Sequence, residues 1–328
     1  MKDHLLLFAR DPGATNQILA FLRLVVPGAP ERLRETATKL SATLPLPPRK
    51  PDITLLAMDY ACRKFANENV SFITWKNFYG STIPGTDPVK HLRDRFQEEG
   101  ITHIATGVSD NDDKSHHILW RAARLGKIPC VTLLDDNTNL AARFTGNNGT
   151  IIWPDRVYAV SEESHMPLHN LGIPNEIITT IANLHLTWLV EQSSPANTQE
   201  ARALRVHWGV SEDDNIVLFA SQPIREMRQH GKPATFDEFA CLAELLCELR
   251  QNYPSSVVVI RPHPRDAPNK YLHLVNKDQP RVIVSDAGSP VSAILAADRV
   301  AGMNSMLLQE AKALSRPIIY LTGKGTYQ

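Results

Sequence analysis

The sequence lacks a long hydrophobic run, an excess of charge of either sign and any close pair of cysteines. No apolar segment approaches the roughly 20 residues that a membrane-spanning helix needs, so stable membrane insertion is not expected. Lysine plus arginine and aspartate plus glutamate number 35 each. This balance excludes a long-range field that would attract nucleic acid, and basic residues must therefore act locally.

The cysteines indicate a reducing compartment. Cys62, Cys130, Cys241 and Cys247 are scattered among apolar neighbours and form no CxxC pair. Reduced thiols of a cytosolic protein are the expected state. The opening HLLLFAR (4–10) is too short for the apolar region of a signal peptide and ends in a charge, so a cytoplasmic location is expected.

Length and patterning predict two α/β domains. A chain of 328 residues exceeds one ordinary core. Short apolar runs alternate with amphipathic stretches, which predicts βαβ units and parallel sheets. The runs that predict strands are 4–9, 52–58, 70–75, 102–107, 128–135, 156–161 and 176–182, followed by 215–221, 257–262, 281–286, 299–303 and 316–321. The expected fold is therefore two Rossmann-like, doubly wound parallel-sheet domains that face a cleft.

A polar stretch at 190–204 interrupts the alternation and predicts a first domain at 1–190 and a second at 191–328. Within the first domain, the proline-rich residues 27–51 are expected to form a surface excursion. In doubly wound sheets ligands bind at the carboxyl ends of the strands, where loops meet helix N-termini. The residues that follow each strand are therefore the candidates for function.

Asp11 follows the first predicted strand, within ARDPGATNQ (9–17). Thr15 or Asn16 is expected to cap a helix that begins near Gln17. Asp11 is placed to accept a proton from a substrate hydroxyl, and it is equally suited to capping the turn. Both interpretations stay open.

A second acidic segment, with Asp110, Asp112 and Asp113, follows the fourth predicted strand. It suggests a metal site or simple helix capping, and capping is favoured because acidic residues are common in a first helical turn. The adjacent His116 and His117 are expected to point to different faces of a helix, which is poor geometry for chelation.

Asp135 and Asp136 end the fifth predicted strand. Paired carboxylates at a strand end are suited to acid–base chemistry, but they pair equally well with an arginine for structural reasons. Arg143 lies where it could reach back to one of them, and the structural interpretation is slightly favoured.

The segment VVVIRPHPRD (257–266) carries the most informative strand end. Two prolines stiffen the backbone on either side of His263. A histidine held in this way can donate a hydrogen bond to a phosphate oxygen, and Arg261 or Arg265 can add charge. The alternative is a rigid turn without a ligand.

Two further predicted helices begin with small polar residues. Ser289 precedes one of them, and Asn304 with Ser305 precedes the other, which carries Glu310. Hydroxyl groups and backbone N–H groups at a helix N-terminus bind phosphate together. Glu310 could accept hydrogen bonds from a ribose diol, or it could be an ordinary exposed glutamate.

These motifs resemble those of a known superfamily. RPHPRD is similar to the RPHP stretch of CDP-glycerol glycerophosphotransferases and to the HP motif of bacterial sialyltransferases. GMNSMLLQEAKALSRPIIYL is similar to a block shared with UDP-N-acetylglucosamine 2-epimerases. ARDPGATN and LLDDNTNLAARF resemble stretches of GT-B-like proteins from bacterial polysaccharide gene clusters. The chain therefore resembles the GT-B glycosyltransferase and UDP-N-acetylglucosamine 2-epimerase superfamily.

The resemblance implies that His263 and Ser305 contact nucleotide phosphates, that Glu310 contacts the ribose, and that Asp11 lies on the acceptor side. Asp110, Asp135 and Asp136 are expected on the acceptor side as well. It implies a metal-independent transfer of a sugar or related group from a nucleotide sugar, UDP-linked or CMP/CDP-linked, to a glycan or small-molecule acceptor in polysaccharide or glycoconjugate synthesis. No prosthetic group is expected. In such a mechanism Asp11 would deprotonate the acceptor, while His263 and the helix end near Ser305 would stabilise the departing diphosphate.

Two departures keep other functions open. Asn183 lacks the neighbouring glycine and proline of the G-N-P segment of the family, and the second domain is expected to be short at its C-terminus. A nucleotide-sugar hydrolase or 2-epimerase is one alternative, and a non-catalytic nucleotide- or sugar-binding module is another, because fold alone does not separate them. A homodimer also remains open.

Overall fold

The structure is a computed structural model that describes residues 2–25, 33–45, 51–80, 86–110, 113–191, 195–229, 237–276 and 280–322. The chain divides into two compact units, Met1–Thr187 (unit 1) and Trp188–Gln328 (unit 2). Each unit is built on its own parallel sheet.

Unit 1 contains a seven-stranded sheet in the order β3-β2-β1-β4-β5-β6-β7. All of its strand pairs are parallel. Between β1 and β4 the strand order reverses, which in doubly wound sheets opens a crevice at the carboxyl ends of the strands. The strands are β1 His4–Ala9, β2 Asp52–Ala57, β3 Ile73–Thr74, β4 His103–Thr106, β5 Cys130–Leu133, β6 Arg156–Ala159 and β7 Ile178–Thr180.

Helices connect these strands as the alternating pattern predicts. They are α1 Pro12–Val25, α2 Arg34–Ser41, α3 Asp59–Asn67, α4 Trp75–Tyr79, α5 Pro88–Glu98, α6 Ser115–Gly126, α7 Leu140–Phe144, α8 His165–Asn170 and α9 Leu184–Glu191. The first helix begins at Pro12, so the predicted start near Gln17 is wrong. Thr15 is not its cap, because the Thr15 hydroxyl donates to the Asp11 carbonyl at 2.7 Å, one turn back along the helix.

The core of unit 1 forms because its central strands are apolar on both faces, as parallel strands between two helical layers must be. Leu6 and Phe8 of β1 pack in one cluster with Leu92 of α5 and Trp120 of α6. The alternate residues Leu5 and Leu7 are equally buried.

The described part of the proline-rich excursion contributes to this unit. Residues 26–32 and 46–50 of the chain lie outside the described residues, whereas α2 lies within them. Leu33, Leu40 and Leu44 are buried. The Tyr158 hydroxyl of β6 donates to the Lys39 carbonyl at 3.1 Å, which ties α2 to the sheet.

Unit 2 contains a five-stranded parallel sheet in the order β10-β9-β8-β11-β12, with its reversal between β8 and β11. The strands are β8 Ile216–Ala220, β9 Val257–Arg261, β10 Arg281–Val284, β11 Arg299–Gly302 and β12 Ile318–Tyr320. The helices are α10 Pro195–His207, α11 Ile224–Gln229, α12 Glu238–Asn252, α13 Pro290–Ala296 and α14 Met306–Ala313.

Alternation along β9 divides the core of unit 2 into two layers. Val257 and Val259 pack with residues of α10, α13 and α14 on one face. Val258 and Ile260 pack with residues of α12 on the other. Because successive side chains of a strand point to opposite faces, one β-branched run fills both layers. No helix among the described residues has the length and apolar character to cross a membrane.

Candidate functional site

Unit 2 has a pocket of about 750 Å³ at the carboxyl ends of its strands. Its walls come from the segments that follow β8, β9 and β10 and from the first residues of α14. The residues that line this pocket include Ser221, His263, Ser285, Asp286 and Ser305. The pocket therefore lies at the edge where doubly wound sheets bind ligands.

His263 presents a defined hydrogen-bond donor in this pocket. The backbone N–H of Arg265 donates to Nδ1 of His263 at 3.1 Å, so Nδ1 is an acceptor and the ring proton resides on Nε2. Burial lowers the pKa of His263 to about 4, and the nearby charge of Arg265 acts in the same direction. The ring is therefore neutral near pH 7, with an Nε2–H group available to an oxygen acceptor.

The turn around His263 is held by Asp266. The Oδ2 atom of Asp266 accepts from the backbone N–H of His263 at 2.7 Å and from the Ser221 hydroxyl at 2.6 Å. The same hydroxyl contacts the Tyr271 hydroxyl. RPHPRD is thus a rigid turn, and it is also the wall of a pocket.

Ser305 lies at the start of α14, on another wall of the pocket. Its Oγ atom is buried and makes no hydrogen bond to any described residue. Leaving a buried hydroxyl unpaired costs roughly 1–3 kcal/mol. A bound ligand with an oxygen or nitrogen acceptor would satisfy it.

In unit 1, Asp11 lies at the carboxyl end of β1, beside the reversal of strand order. Its carboxyl group is half-buried and accepts a hydrogen bond from Ser109, which follows β4. Burial raises the pKa of Asp11, and this effect outweighs the hydrogen bond from Ser109 and the charge of Arg10. A raised pKa makes the Asp11 carboxylate a stronger proton acceptor than an ordinary aspartate, as a general base requires.

The Asp135 and Asp136 pair faces an arginine. Arg143 Nη1 is 2.7 Å from Asp135 Oδ1, and Arg143 Nη2 is 3.0 Å from Asp136 Oδ1. A Cβ atom at Gly13 would lie 1.7 Å from Asp135 Oδ2, so glycine is required where this carboxylate meets the first turn of α1. These contacts support the structural interpretation of the pair.

Comparison with solved structures finds the same fold at low sequence identity. The UDP-GlcNAc 2-epimerase of Neisseria meningitidis, bound to UDP-GlcNAc, matches with a TM-score of 0.60 at 13% identity, over 97% of this chain and 81% of that one. HepE of Anabaena, in complex with UDP and glucose, matches with a TM-score of 0.56 at 14% identity, over 96% and 80%. The UDP-GlcNAc 2-epimerase of Methanocaldococcus jannaschii gives 0.59 at 13%, over 97% and 83%.

The chain has the GT-B fold of these proteins. The fold class expected from the sequence is therefore confirmed. No protein-family model and no curated protein matches the sequence.

The other candidate residues around the pocket of unit 2 form hydrogen bonds with other parts of the same unit. Arg261 lines the pocket but donates to the carbonyls of Ala287 and Gly288, both at 2.9 Å. Burial lowers the pKa of its guanidinium, and the charges of Asp286 and Glu310 oppose that shift. Arg261 thus organises the loop that follows β10.

Ser289 caps α13, because its Oγ accepts from the Ser292 N–H at 3.1 Å. It also donates to Glu200 of α10 at 3.2 Å. Asn304 is exposed, and its backbone pairs with the Gln222 side chain, which joins the segments after β8 and β11. Arg265 is exposed and contributes its backbone N–H.

Glu310 is 6% exposed, so the alternative that it is an ordinary exposed glutamate is wrong. Its carboxylate lies close enough to Arg261 to affect the pKa of that group. Glu310 is thus one of the buried charged residues of unit 2.

The acidic segment after β4 agrees with capping. Asp113 Oδ1 accepts from the backbone N–H of Ser115 at 2.8 Å, and Asp110 accepts from Asn139 at 2.8 Å. Asp112 lies outside the described residues. The expectation that His116 and His117 point to different faces is wrong, because both Nε2 atoms lie within 3.0 Å of the Arg143 carbonyl oxygen. Consecutive long side chains in a first helical turn can converge on one acceptor above the turn.

Sequence reasoning missed three residues that shape the pocket, namely Ser221, Lys270 and Tyr271. Ser221 directly follows β8 and resembles any serine after a strand. Lys270 and Tyr271 lie in an irregular segment without periodicity. The available signal was Asp266, since an aspartate three residues after His263 is spaced to accept the N–H of that residue.

Proposed function

We propose that unit 2 binds a nucleotide sugar in its pocket and that the chain acts as a metal-independent glycosyltransferase. The observation that carries the proposal is the pairing of two neutral donors on the pocket wall, the Nε2–H of His263 and the unpaired Oγ of Ser305. Phosphate oxygens are acceptors, and the N-terminus of α14 adds a favourable dipole. The solved structures of HepE with UDP-glucose and of the Neisseria epimerase with UDP-GlcNAc support the choice of ligand class.

In the proposed transfer, the acceptor hydroxyl oxygen bonds to the anomeric carbon as the bond from that carbon to the diphosphate oxygen breaks. The electron pair leaves with the diphosphate, where His263 and Ser305 stabilise the charge. Asp11 takes the proton of the acceptor hydroxyl, which its raised pKa favours. Asp110 is proposed as an acceptor contact, whereas Asp135 and Asp136 pair with Arg143 and are proposed to support the acceptor side structurally.

A nucleotide-sugar 2-epimerase or hydrolase is the second candidate. It is favoured by the solved structures of UDP-GlcNAc 2-epimerases that share the fold. The two candidates differ in one requirement, because an epimerase or hydrolase changes the nucleotide sugar without an acceptor. Proton and carbon NMR of a UDP-GlcNAc incubation without acceptor would separate them.

The binding step is tested first by a thermal-shift screen against UDP, CDP, GDP, CMP and their common sugar conjugates. A ligand that binds the native state raises the melting temperature by mass action. We expect one nucleotide to give a clear shift that is lost in His263→Ala and kept in His207→Ala, an exposed histidine of the same unit. No shift with any nucleotide would contradict the proposal and favour a non-catalytic relative.

A further inference from the structure

The wall of the pocket between His263 and Tyr271 rests on a buried ion cluster. The Nζ atom of Lys270 lies 2.8 Å from Asp266 Oδ1 and 2.8 Å from Glu226 Oε2, and it also contacts Glu238 Oε1. The Lys270 side chain is 6% exposed, that of Asp266 is 1% exposed and that of Glu238 is fully buried. One ammonium therefore faces three carboxylates in a nearly dry environment.

The geometry of the cluster is that of a cation site whose centre is filled. One oxygen of each carboxylate lies within 4.8 Å of the other two, which is a spacing suited to a metal ion. An ammonium has three donors, and here the three carboxylates surround it. Burial by itself lowers the pKa of Lys270. The hydrogen bonds to Asp266, Glu226 and Glu238 outweigh this effect and raise the pKa above its ordinary value, so the ammonium is charged.

Asp266 connects this cluster to the proposed ligand site. Its Oδ1 pairs with Lys270, while its Oδ2 accepts from the backbone of His263 and from Ser221. Because the two oxygens belong to one rigid carboxylate, the position of the ammonium determines where the His263 backbone is held. The Arg265 N–H in the same turn then fixes the tautomer of the ring.

We propose that the Lys270 ammonium is a built-in cation, which occupies the place that the three carboxylates would offer to a divalent metal ion and positions His263 through Asp266. The positioning role rests on the proposed nucleotide function. The cation role does not, because it depends only on the contacts within the cluster. Lys270 is thus a positioning residue.

The cation role is tested by metal rescue without any nucleotide. Lys270→Ala leaves three carboxylates, those of Asp266 and Glu238 buried and that of Glu226 partly exposed, without their shared cation, so we expect a melting temperature well below that of the native protein. Millimolar Mn²⁺ or Ca²⁺ should then raise it by several degrees, whereas the native protein and Lys312→Ala, an exposed lysine of the same unit, should not respond. Equal responses of variant and native protein would overturn the proposal.

A second variant with a polar side chain at position 270 tests the cation role if Lys270→Ala does not fold. Lys270→Gln keeps an amide whose oxygen is a suitable metal ligand, and it should show the same selective stabilisation by Ca²⁺. If Lys270→Ala is recovered only unfolded, this variant decides the matter. The absence of selective stabilisation in it would equally overturn the cation role.

The positioning role is read from the imidazole of His263. Nitrogen-15 spectra, assigned with His263→Gln, should show a neutral ring with its proton on Nε2 in the native protein. In Lys270→Ala we expect a mixture of tautomers and a UDP dissociation constant about tenfold higher, both restored by Ca²⁺. A native spectrum and native affinity in a folded Lys270→Ala would refute the positioning role. If the native protein binds no UDP, the proposed ligand is wrong. The tautomer of His263 and the metal rescue still test the two roles proposed for Lys270.

Discussion

At the scale of single residues, the pocket of unit 2 combines one fixed donor with one unpaired donor. His263 is fixed because the Arg265 N–H occupies its Nδ1, and Ser305 is unpaired because its Oγ is buried without a partner among the described residues. Native proteins leave few buried polar atoms unpaired, and those they leave often belong to functional sites. The two residues therefore respond differently to substitution.

Ser305→Ala should weaken nucleotide binding without lowering stability. Removing a buried hydroxyl that has no partner relieves a desolvation cost, whereas the lost hydrogen bond to a charged phosphate is worth about 1.5–3 kcal/mol. We expect an unchanged or slightly raised melting temperature and an affinity about tenfold lower by isothermal titration calorimetry. Ser292→Ala is the control, since its hydroxyl bonds to Ser289. A destabilised Ser305→Ala with native affinity would argue against a ligand at this position.

Asp11→Asn should abolish transfer, leave nucleotide binding largely unchanged and raise stability near neutral pH. The pKa of Asp11 is raised in the folded protein, so its contribution to stability is fully present below the ordinary aspartate value of about 3.9. That contribution is lost as the pH rises through the folded pKa. The neutral asparagine avoids this loss, and we expect a gain of roughly 1–3 °C at pH 7 that vanishes near pH 3.

Thermal unfolding at both pH values and a transfer assay check this expectation. Asp59→Asn is a matched control, because Asp59 is an exposed aspartate at the same edge of the sheet. Normal turnover by Asp11→Asn would exclude Asp11 as the base. A gain in stability that persists at pH 3 would show that the raised pKa is not its cause.

At the scale of elements, short helices and loops at the strand ends are held by side chains from distant parts of the sequence. The carbonyl of Arg143 at the end of α7 lies within hydrogen-bond distance of two histidines of α6, and its guanidinium pairs with two carboxylates after β5. Gly107, which follows β4, allows the backbone there to approach α1 closely, because a Cβ at this position would lie 2.3 Å from Cβ of Ala14. At this edge of unit 1, the ends of helices and strands are therefore held together by contacts between residues distant in the sequence.

Arg143→Met should destabilise the protein by about 3–5 kcal/mol, because it leaves the buried Asp135 carboxylate without its partner. Arg95→Met is the control, since Arg95 forms exposed pairs with Glu98 and Glu99 on α5, which are worth at most about 1 kcal/mol. Urea unfolding followed by circular dichroism measures both. Similar losses in the two variants would mean that the buried pair contributes no more than a surface pair.

At the scale of the whole molecule, each unit has its own sheet and its own core, and every residue that lines the pocket belongs to unit 2. A self-contained core predicts independent folding. A pocket supplied by one unit predicts that binding of the nucleotide does not require the other, whereas transfer should require both.

A fragment of residues 188–328, which is the whole of unit 2, should therefore fold alone and bind the nucleotide with an affinity within about threefold of that of the full chain, as expected when no contact to the pocket is lost. Circular dichroism with cooperative thermal unfolding checks the folding, and titration calorimetry checks the affinity. The same fragment with His263→Ala is the control for specific binding. A cooperatively folded fragment that binds no nucleotide would show that the other unit contributes to the site.

Much of the fold could be read from the sequence, because its signals are local. The β-branched run at 257–260 predicted β9 within a residue of its end, and each of the twelve predicted strands overlaps one of the twelve strands found among the described residues. The start of α1 was missed because Pro12 and Gly13 usually indicate a turn, although proline also fits the first turn of a helix. The helices α4 and α7 are too short to show a hydrophobic period.

Local patterns in the chain were enough to predict the α/β architecture, the pocket segments after the strands and the stiff turn around His263, since alternation and proline act over a few neighbouring residues. Which polar groups find hydrogen-bond partners depended instead on the folded arrangement of distant segments. That arrangement paired Arg261 with backbone carbonyls, buried Glu310, left Ser305 without a partner among the described residues and placed Lys270 among three carboxylates. These outcomes depend on contacts between residues far apart in the chain, where burial and geometry rather than residue type set the role of each charge.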